Sequence, residues 1–179
     1  MTQTFSIPDA DTMHDFGIIL GKNLRAGDLV MLNGPLGAGK TTLTRGIAEG
    51  MGVKGRVTSP TFVIANAHRN VSGGPDLVHV DAYRLDSLEE IDALDLDSSL
   101  EDSATVVEWG EGKIEVLSED RLLLAIHRPV GSNEGEEVEE LFVDSPRTIE
   151  AVAHGVRAEQ LLADVEASWD KTHDGRENS

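Results

Sequence analysis

The stretch Leu29-Val30-Met31-Leu32-Asn33-Gly34-Pro35-Leu36-Gly37-Ala38-Gly39-Lys40-Thr41-Thr42 decides how the rest of the chain is read. It opens on a short apolar run, Leu29 to Leu32, that suits a buried strand. The pattern G-x-x-x-x-G-K-[ST] follows over residues 34–41. Leu43, Ile47 and Met51 then recur at helical spacing, with Gly50 and Gly52 to end the helix. Strand, Gly-rich loop and helix in that order form a phosphate-binding loop. Each residue has a mechanical role in it. Gly34, Gly37 and Gly39 allow backbone conformations closed to other residues, so the chain comes close to phosphate. The N–H groups of Gly34, Gly37 and Gly39 point inward as an anion nest at the start of the helix, with Ala38 among the nucleotide-binding residues. Lys40 reaches the β- and γ-phosphates, the Thr41 hydroxyl is a hard oxygen ligand for Mg²⁺, and Thr42 donates to the α-phosphate. The pattern implies a nucleoside triphosphate with Mg²⁺. No N-K-x-D run for guanine is present, which favours ATP.

Upstream, Met13, Phe16, Leu20 and Leu24 predict an amphipathic helix over 10–25, capped by Asp9 or Asp11. Downstream, residues 57–64 read as a β-rich stretch broken by Pro60, and Ser72-Gly73-Gly74-Pro75 as a turn. Leu77 to Val80 and Ala104 to Val107 read as strands, separated by one acidic helix over 87–100 with Leu88, Ile91 and Leu94 inward. Leu122 to Ile126 and Leu141 to Val143 read as a hairpin closed by the acidic loop 131–140. From Pro146 the spacing of Ile149, Val152 and Val156, then Leu162, Val165 and Trp169, predicts one or two amphipathic helices before a polar, disordered end. These readings divide the chain into a domain over 1–145 and a helical extension over 146–179.

In open α/β sheets, ligands sit beyond the carboxyl ends of the strands. Asp81 and Glu108 hold such positions. One is the Mg²⁺-associated acid, and the other orients the attacking water. His79 alternates with apolar residues and reads as a satisfied core or edge histidine. Arg84 is a candidate for γ-phosphate charge, or for a surface salt bridge. Trp109 suits either stacking near the nucleotide or packing. Thr58, Ser59 and Thr61 suit a loop that senses the γ-phosphate.

The chain has 179 residues and no cysteine, which excludes disulfides, thiolate metal sites and cysteine nucleophiles. No apolar run reaches about 18 residues and no basic-then-apolar leader is seen, so the expected location is the cytoplasm, away from membranes. The net charge is −18, and residues 85–179 carry 26 Asp/Glu against 7 Lys/Arg. That half repels a phosphate backbone, so direct nucleic-acid binding is disfavoured.

Taken in order, the Gly-rich loop, Thr58-Ser59-Pro60-Thr61-Phe62, His79-Val80-Asp81-Ala82-Tyr83-Arg84-Leu85 and Glu108-Trp109-Gly110-Glu111 resemble the TsaE (YjeE) family over residues 5 to about 145. The resemblance implies a bacterial P-loop ATPase of tRNA threonylcarbamoyladenosine synthesis, weak alone and stimulated by its partners TsaB and TsaD. Contact with tRNA is then only indirect, through that complex. It implies that Lys40, Thr41 and Thr42 hold phosphate and Mg²⁺, and that Glu108 is the Mg²⁺-associated acid. Asp81 then serves hydrolysis, Thr58 to Phe62 form a switch, and Trp109 and Glu111 lie near the nucleotide. The family pattern also implies a basic residue just before the last strand. Here Glu136-Glu137-Val138-Glu139-Glu140 stands in that region, leaving Arg128 as the candidate substitute. Two other functions share the scaffold, a small-molecule kinase and a nucleotide-gated binding module with negligible hydrolysis. The scattered basic residues after Arg84 make the basic lid of a kinase hard to build. The expected fold is α/β and P-loop NTPase-like: a mostly parallel central sheet, flanking helices, a β-hairpin and a helical C-terminal extension.

Overall fold

The computed structural model describes residues 1–58, 65–83, 85, 87–109, 112, 115, 118–128 and 145–173. Its elements in chain order are β1 (Thr2–Ile7), α1 (Ala10–Asn23), β2 (Leu29–Asn33), α2 (Lys40–Met51), β3 (Ala65–His68), β4 (Asp76–Asp81), α3 (Leu88–Asp92), α4 (Leu96–Asp102), β5 (Ser103–Glu108), β6 (Arg121–His127), β7 (Arg147–His154) and α5 (Val156–His173). The strands form one seven-stranded sheet in the order β1-β7-β6-β2-β5-β4-β3. The central strands β6, β2, β5 and β4 run parallel, and antiparallel strands flank them on both sides. This is the expected α/β architecture.

The strands alternate between two cores. Val30, Leu32, Leu77, Ala104 and Val106 face a large apolar cluster shared with α1, α2 and α5. Leu29, Val78, Val80 and Val107 face a smaller one completed by Leu96 and Leu100 of α4. Helix α1 starts where a cap was expected: Asp9 accepts from the Thr12 backbone N–H at 2.7 Å and from its hydroxyl at 2.7 Å. Helix α2 ends at Gly52, which takes a left-handed φ of 74°. Gly50 lies inside the helix and serves packing instead. Gly17 of α1 meets Gly46 of α2 backbone to backbone, while Gly21 rests on the Ile47 backbone and Gly50 on that of Ile18. A Cβ on Gly46 would stand 2.2 Å from the carbonyl of His14, and one on Gly50 2.2 Å from that of Ile18.

Three expectations change. The single helix over 87–100 is two short helices, because Asp95 adopts φ 49° and breaks the ladder between them. The strand after the Gly-rich helix is Ala65–His68; residues 57 and 58 are not in a strand, and 59–64 lie outside the described residues, as do the Leu141–Val143 strand and the 131–140 loop. Residues 147–154 are a strand, not the start of a helix. Ile149, Ala151 and Ala153 point into the core while β7 pairs with β1 and β6. The sheet therefore runs across the expected boundary at residue 145, and the helical extension begins only at Val156.

That helix packs on the domain. Arg157 grips Asp28 through Nε–H to Oδ1 at 2.9 Å and Nη2–H to Oδ2 at 2.6 Å, and Nη2–H also reaches the Asn23 carbonyl at 3.0 Å. Asp120 accepts from the Arg157 backbone N–H at 2.8 Å. Near the other end of α5, Trp169 meets Phe5 and Phe16 edge-on at 5.9 and 5.3 Å. Among the described residues, no helix is long and apolar enough to cross a membrane.

Gly46→Ala should lower stability by roughly 2 kcal/mol in urea denaturation, despite a better helix former, since backbone cannot yield as a side chain can. A midpoint at or above wild type would refute the close crossing. A second outcome concerns His68, buried on β3. Burial holds its imidazole below the ordinary 6.5, against an opposing bond to the Lys54 backbone. The unfolded chain takes that proton near about pH 6.5 while the folded chain resists it, so stability falls as pH drops below that value. Unfolding of His68→Gln should be less pH-dependent between pH 7 and 5 than that of wild type; equal slopes would refute the assignment.

Candidate phosphate-binding site

Parallel pairing brings the carboxyl ends of β2, β5 and β4 to one edge. Leu32 stands beside Glu108, and Glu108 beside Asp81. The Gly-rich loop leaves β2 at the same edge. Gly37 and Gly39 take left-handed φ values of 77° and 107°. Gly34 is forced by crowding rather than by φ: a Cβ there would lie 3.0 Å from that of Ala38 and 3.1 Å from the Ile126 carbonyl. Helix α2 has no side-chain cap at its start and no acid in its first turn, so its first N–H groups face the loop as an anion site. Thr41 and Thr42 stand in that first turn.

Lys40 folds back into the loop. Its ammonium donates to the Gly34 carbonyl at 2.7 Å and the Pro35 carbonyl at 3.0 Å. Trp109 covers it, with Nζ 4.2 Å from the ring centroid. Trp109 reaches this place because it turns left-handed, φ 60°, directly after the strand. The edge of Tyr83 rests on it at 5.5 Å. Burial lowers the Lys40 pKa, while the charges of Glu108 and then Asp81 oppose that shift. One cation and two carboxylates therefore share the site. Asp81 is partly exposed and accepts from the Tyr83 N–H at 3.0 Å. Glu108 is buried, and its Oε1 meets Nε2 of His79 at 3.0 Å.

The residues read from sequence converge here with few exceptions. Gly34, Gly37, Ala38, Gly39, Lys40, Thr41, Thr42, Asp81, Glu108 and Trp109 lie at one end of the sheet, while Thr61, Arg84 and Glu111 fall outside the described residues. Thr58 is described and exposed. His79 is a core rather than an edge histidine, with a carboxylate partner that single-strand alternation does not disclose. Arg128 donates from Nε to the Ser145 hydroxyl at 3.0 Å, whereas Arg147, at the start of β7, donates to the Gly37 carbonyl at 3.1 Å. Arg147 is a basic residue on the loop that the sequence reading missed, because its segment was read as helix.

An oxygen set of Thr41, Asp81 and Glu108 around a lysine-bearing nest fits a magnesium-bound triphosphate. A family model described as threonylcarbamoyl adenosine biosynthesis protein TsaE matches residues 7–136. A protein of Streptomyces coelicolor named tRNA threonylcarbamoyladenosine biosynthesis protein TsaE is 65% identical over 125 residues, covering 69% of this chain and 84% of its own length. The like-named protein of Mycobacterium tuberculosis is 51% identical over 132 residues, covering 70% and 79%. The crystal structure of YdiB from Bacillus subtilis superposes with a TM-score of 0.69 at 26% identity, over 94% of this chain and 96% of that one. The chain belongs to the TsaE family.

Proposed function

We propose that this chain is an accessory ATPase of tRNA threonylcarbamoyladenosine biosynthesis, binding Mg²⁺-ATP at the Gly-rich loop and acting on a TsaB–TsaD complex in the cytoplasm. The observation that carries the reading is the meeting of Lys40 with Glu108 and Asp81 at the carboxyl ends of neighbouring strands. A loop that only turned the chain would need neither acid. The relatives' names supply the biosynthetic role, and the acidic balance supports leaving the tRNA to other subunits.

On this reading, Lys40 exchanges its two carbonyl bonds for phosphate oxygens, and the backbone N–H groups at the start of α2 hold the same phosphates. Thr41 and Glu108 would hold Mg²⁺, which neutralises charge on the β- and γ-phosphates. Asp81, the more accessible acid, orients water toward the γ-phosphate. Trp109 keeps the Lys40 end of the loop dry. Arg147 fixes the apex of the loop through Gly37, so the nest is built before ligand arrives.

The test is phosphate release from ATP, alone and with purified TsaB and TsaD. A slow rate that rises with the pair supports the proposal; indifference to the pair, with no complex on size exclusion, moves it toward a kinase. Lys40→Ala should abolish nucleotide binding or turnover while keeping the wild-type melting temperature; wild-type turnover would sink the site assignment. Glu108→Ala should cut Mg²⁺-dependent turnover at least 100-fold and change nucleotide affinity far less, since the carboxylate serves the cation rather than the phosphates. Undiminished turnover would remove Glu108 from the mechanism.

A further inference from the structure

We propose that His79 is a positioning residue for Glu108, fixing its carboxylate as a ligand-ready acid through an Nε2–H to Oε1 bond. The inference rests on the Mg²⁺-ATP reading above and deepens it. Packing alone does not call for a histidine. Position 79 alternates on β4 with Leu77, both facing the core under α2, and its partner in register on β5 is Val106. A leucine or valine would suit such a face, and a fully buried imidazole there is costly unless bonded.

What the imidazole reaches is the diagonal neighbour two residues along β5. Glu108 lies on the same face as Val106, and its side chain is 5% exposed against 0% for His79. The contact is 3.0 Å. Burial leaves that carboxylate little water, so a bond to one oxygen determines how the group is turned. Oε1 is held by His79, and the charge of the same carboxylate acts on Lys40 in the phosphate loop.

The other ring nitrogen identifies the tautomer. His79 Nδ1 is buried and has no hydrogen-bond partner among the described residues. A buried N–H without an acceptor is the costlier orphan, and a bare lone pair the cheaper one. The neutral ring with hydrogen on Nε2 satisfies the carboxylate and strands no donor. This is the arrangement by which a group one step removed from a metal orients its ligand.

The experiment compares His79→Leu, which removes the donor, with His79→Gln, which retains an N–H donor of similar reach. In the ligand-free wild type, long-range ¹H–¹⁵N correlation should show His79 protonated at Nε2 and bare at Nδ1, and Glu108→Gln should perturb that signal. In Mg²⁺ titrations of ATP binding, His79→Leu should raise the half-saturating Mg²⁺ concentration roughly 10-fold or more. Its ATP affinity in excess EDTA should match wild type, and His79→Gln should recover most of the loss. Thermal unfolding of both variants reports folding separately. A Mg²⁺ dependence unchanged in His79→Leu, an Nδ1–H tautomer, or equal impairment in Leu and Gln variants that also melt together would overturn the positioning role. A wild-type chain with the Nε2–H tautomer but no Mg²⁺-dependent nucleotide binding would overturn the ATPase reading, and the role of His79 with it.

Discussion

The parallel register of β2, β5 and β4 is the constraint on which the site depends. It sets Leu32, Glu108 and Asp81 side by side where the Gly-rich loop departs. Side-chain direction has period two along a strand, so a slip of one residue in β5 would send Glu108 to the face under α4 and bring Val107 toward the loop. The alternation that buries Val106 on one face and Val107 on the other therefore specifies the acid's direction as well as the core. Packing and chemistry are fixed by the same pattern.

The strand that carries the loop is held at both ends by the last part of the chain. Asp28, directly before β2, is gripped by Arg157 of α5. Gly37, after β2, receives Arg147 of β7. Buried or half-buried charge pairs tolerate little displacement, since breaking one leaves an uncompensated charge. The helix layer adds a second restraint. Glycines let α1 sit against α2, and Phe16 of α1 meets Trp169 of α5. Residues 146–173, which read from sequence as an appendage, thus brace the nest from two sides.

How much was legible depended on whether a signal was local. The strand–loop–helix unit is local in both chemistry and period, and apart from Gly50 it was read correctly from Leu29 to Gly52, as were Asp81 and Glu108 at strand ends. The failures share one cause. In Arg147–His154 the inward positions are Ile149, Ala151 and Ala153, and alanine carries little strand preference. Ile149 and Val152 also stand three apart, which imitates a helix. Only pairing with β1 and β6 makes the segment a strand, and that partnership is invisible in one sequence. Arg147 was lost with it. Asp95 is a similar case: its left-handed turn divides a region whose composition reads as one helix. The His79–Glu108 bond spans 29 residues and depends on register, so alternation alone showed a buried histidine without its partner.

On the proposed function, charge explains how a strongly acidic chain would bind a polyanion at all. Fields from exposed charges decay within about 8 Å at physiological ionic strength, so a bound phosphate responds chiefly to its immediate surroundings. Those surroundings are the start of α2 without an acid in its first turn, the Lys40 ammonium, and the Arg147 guanidinium at Gly37. Glu108 and Asp81 are negative, but they favour a divalent cation that arrives with the nucleotide. A compact Mg²⁺-bound triphosphate fits within that radius. An extended RNA does not: its phosphates would run beyond the nest onto a chain whose second half carries 26 acids against 7 bases. On that reading, attraction inside the nest and repulsion on the acidic surface beyond it favour the nucleotide over the nucleic acid. On the proposed function, this also requires that another subunit hold the tRNA.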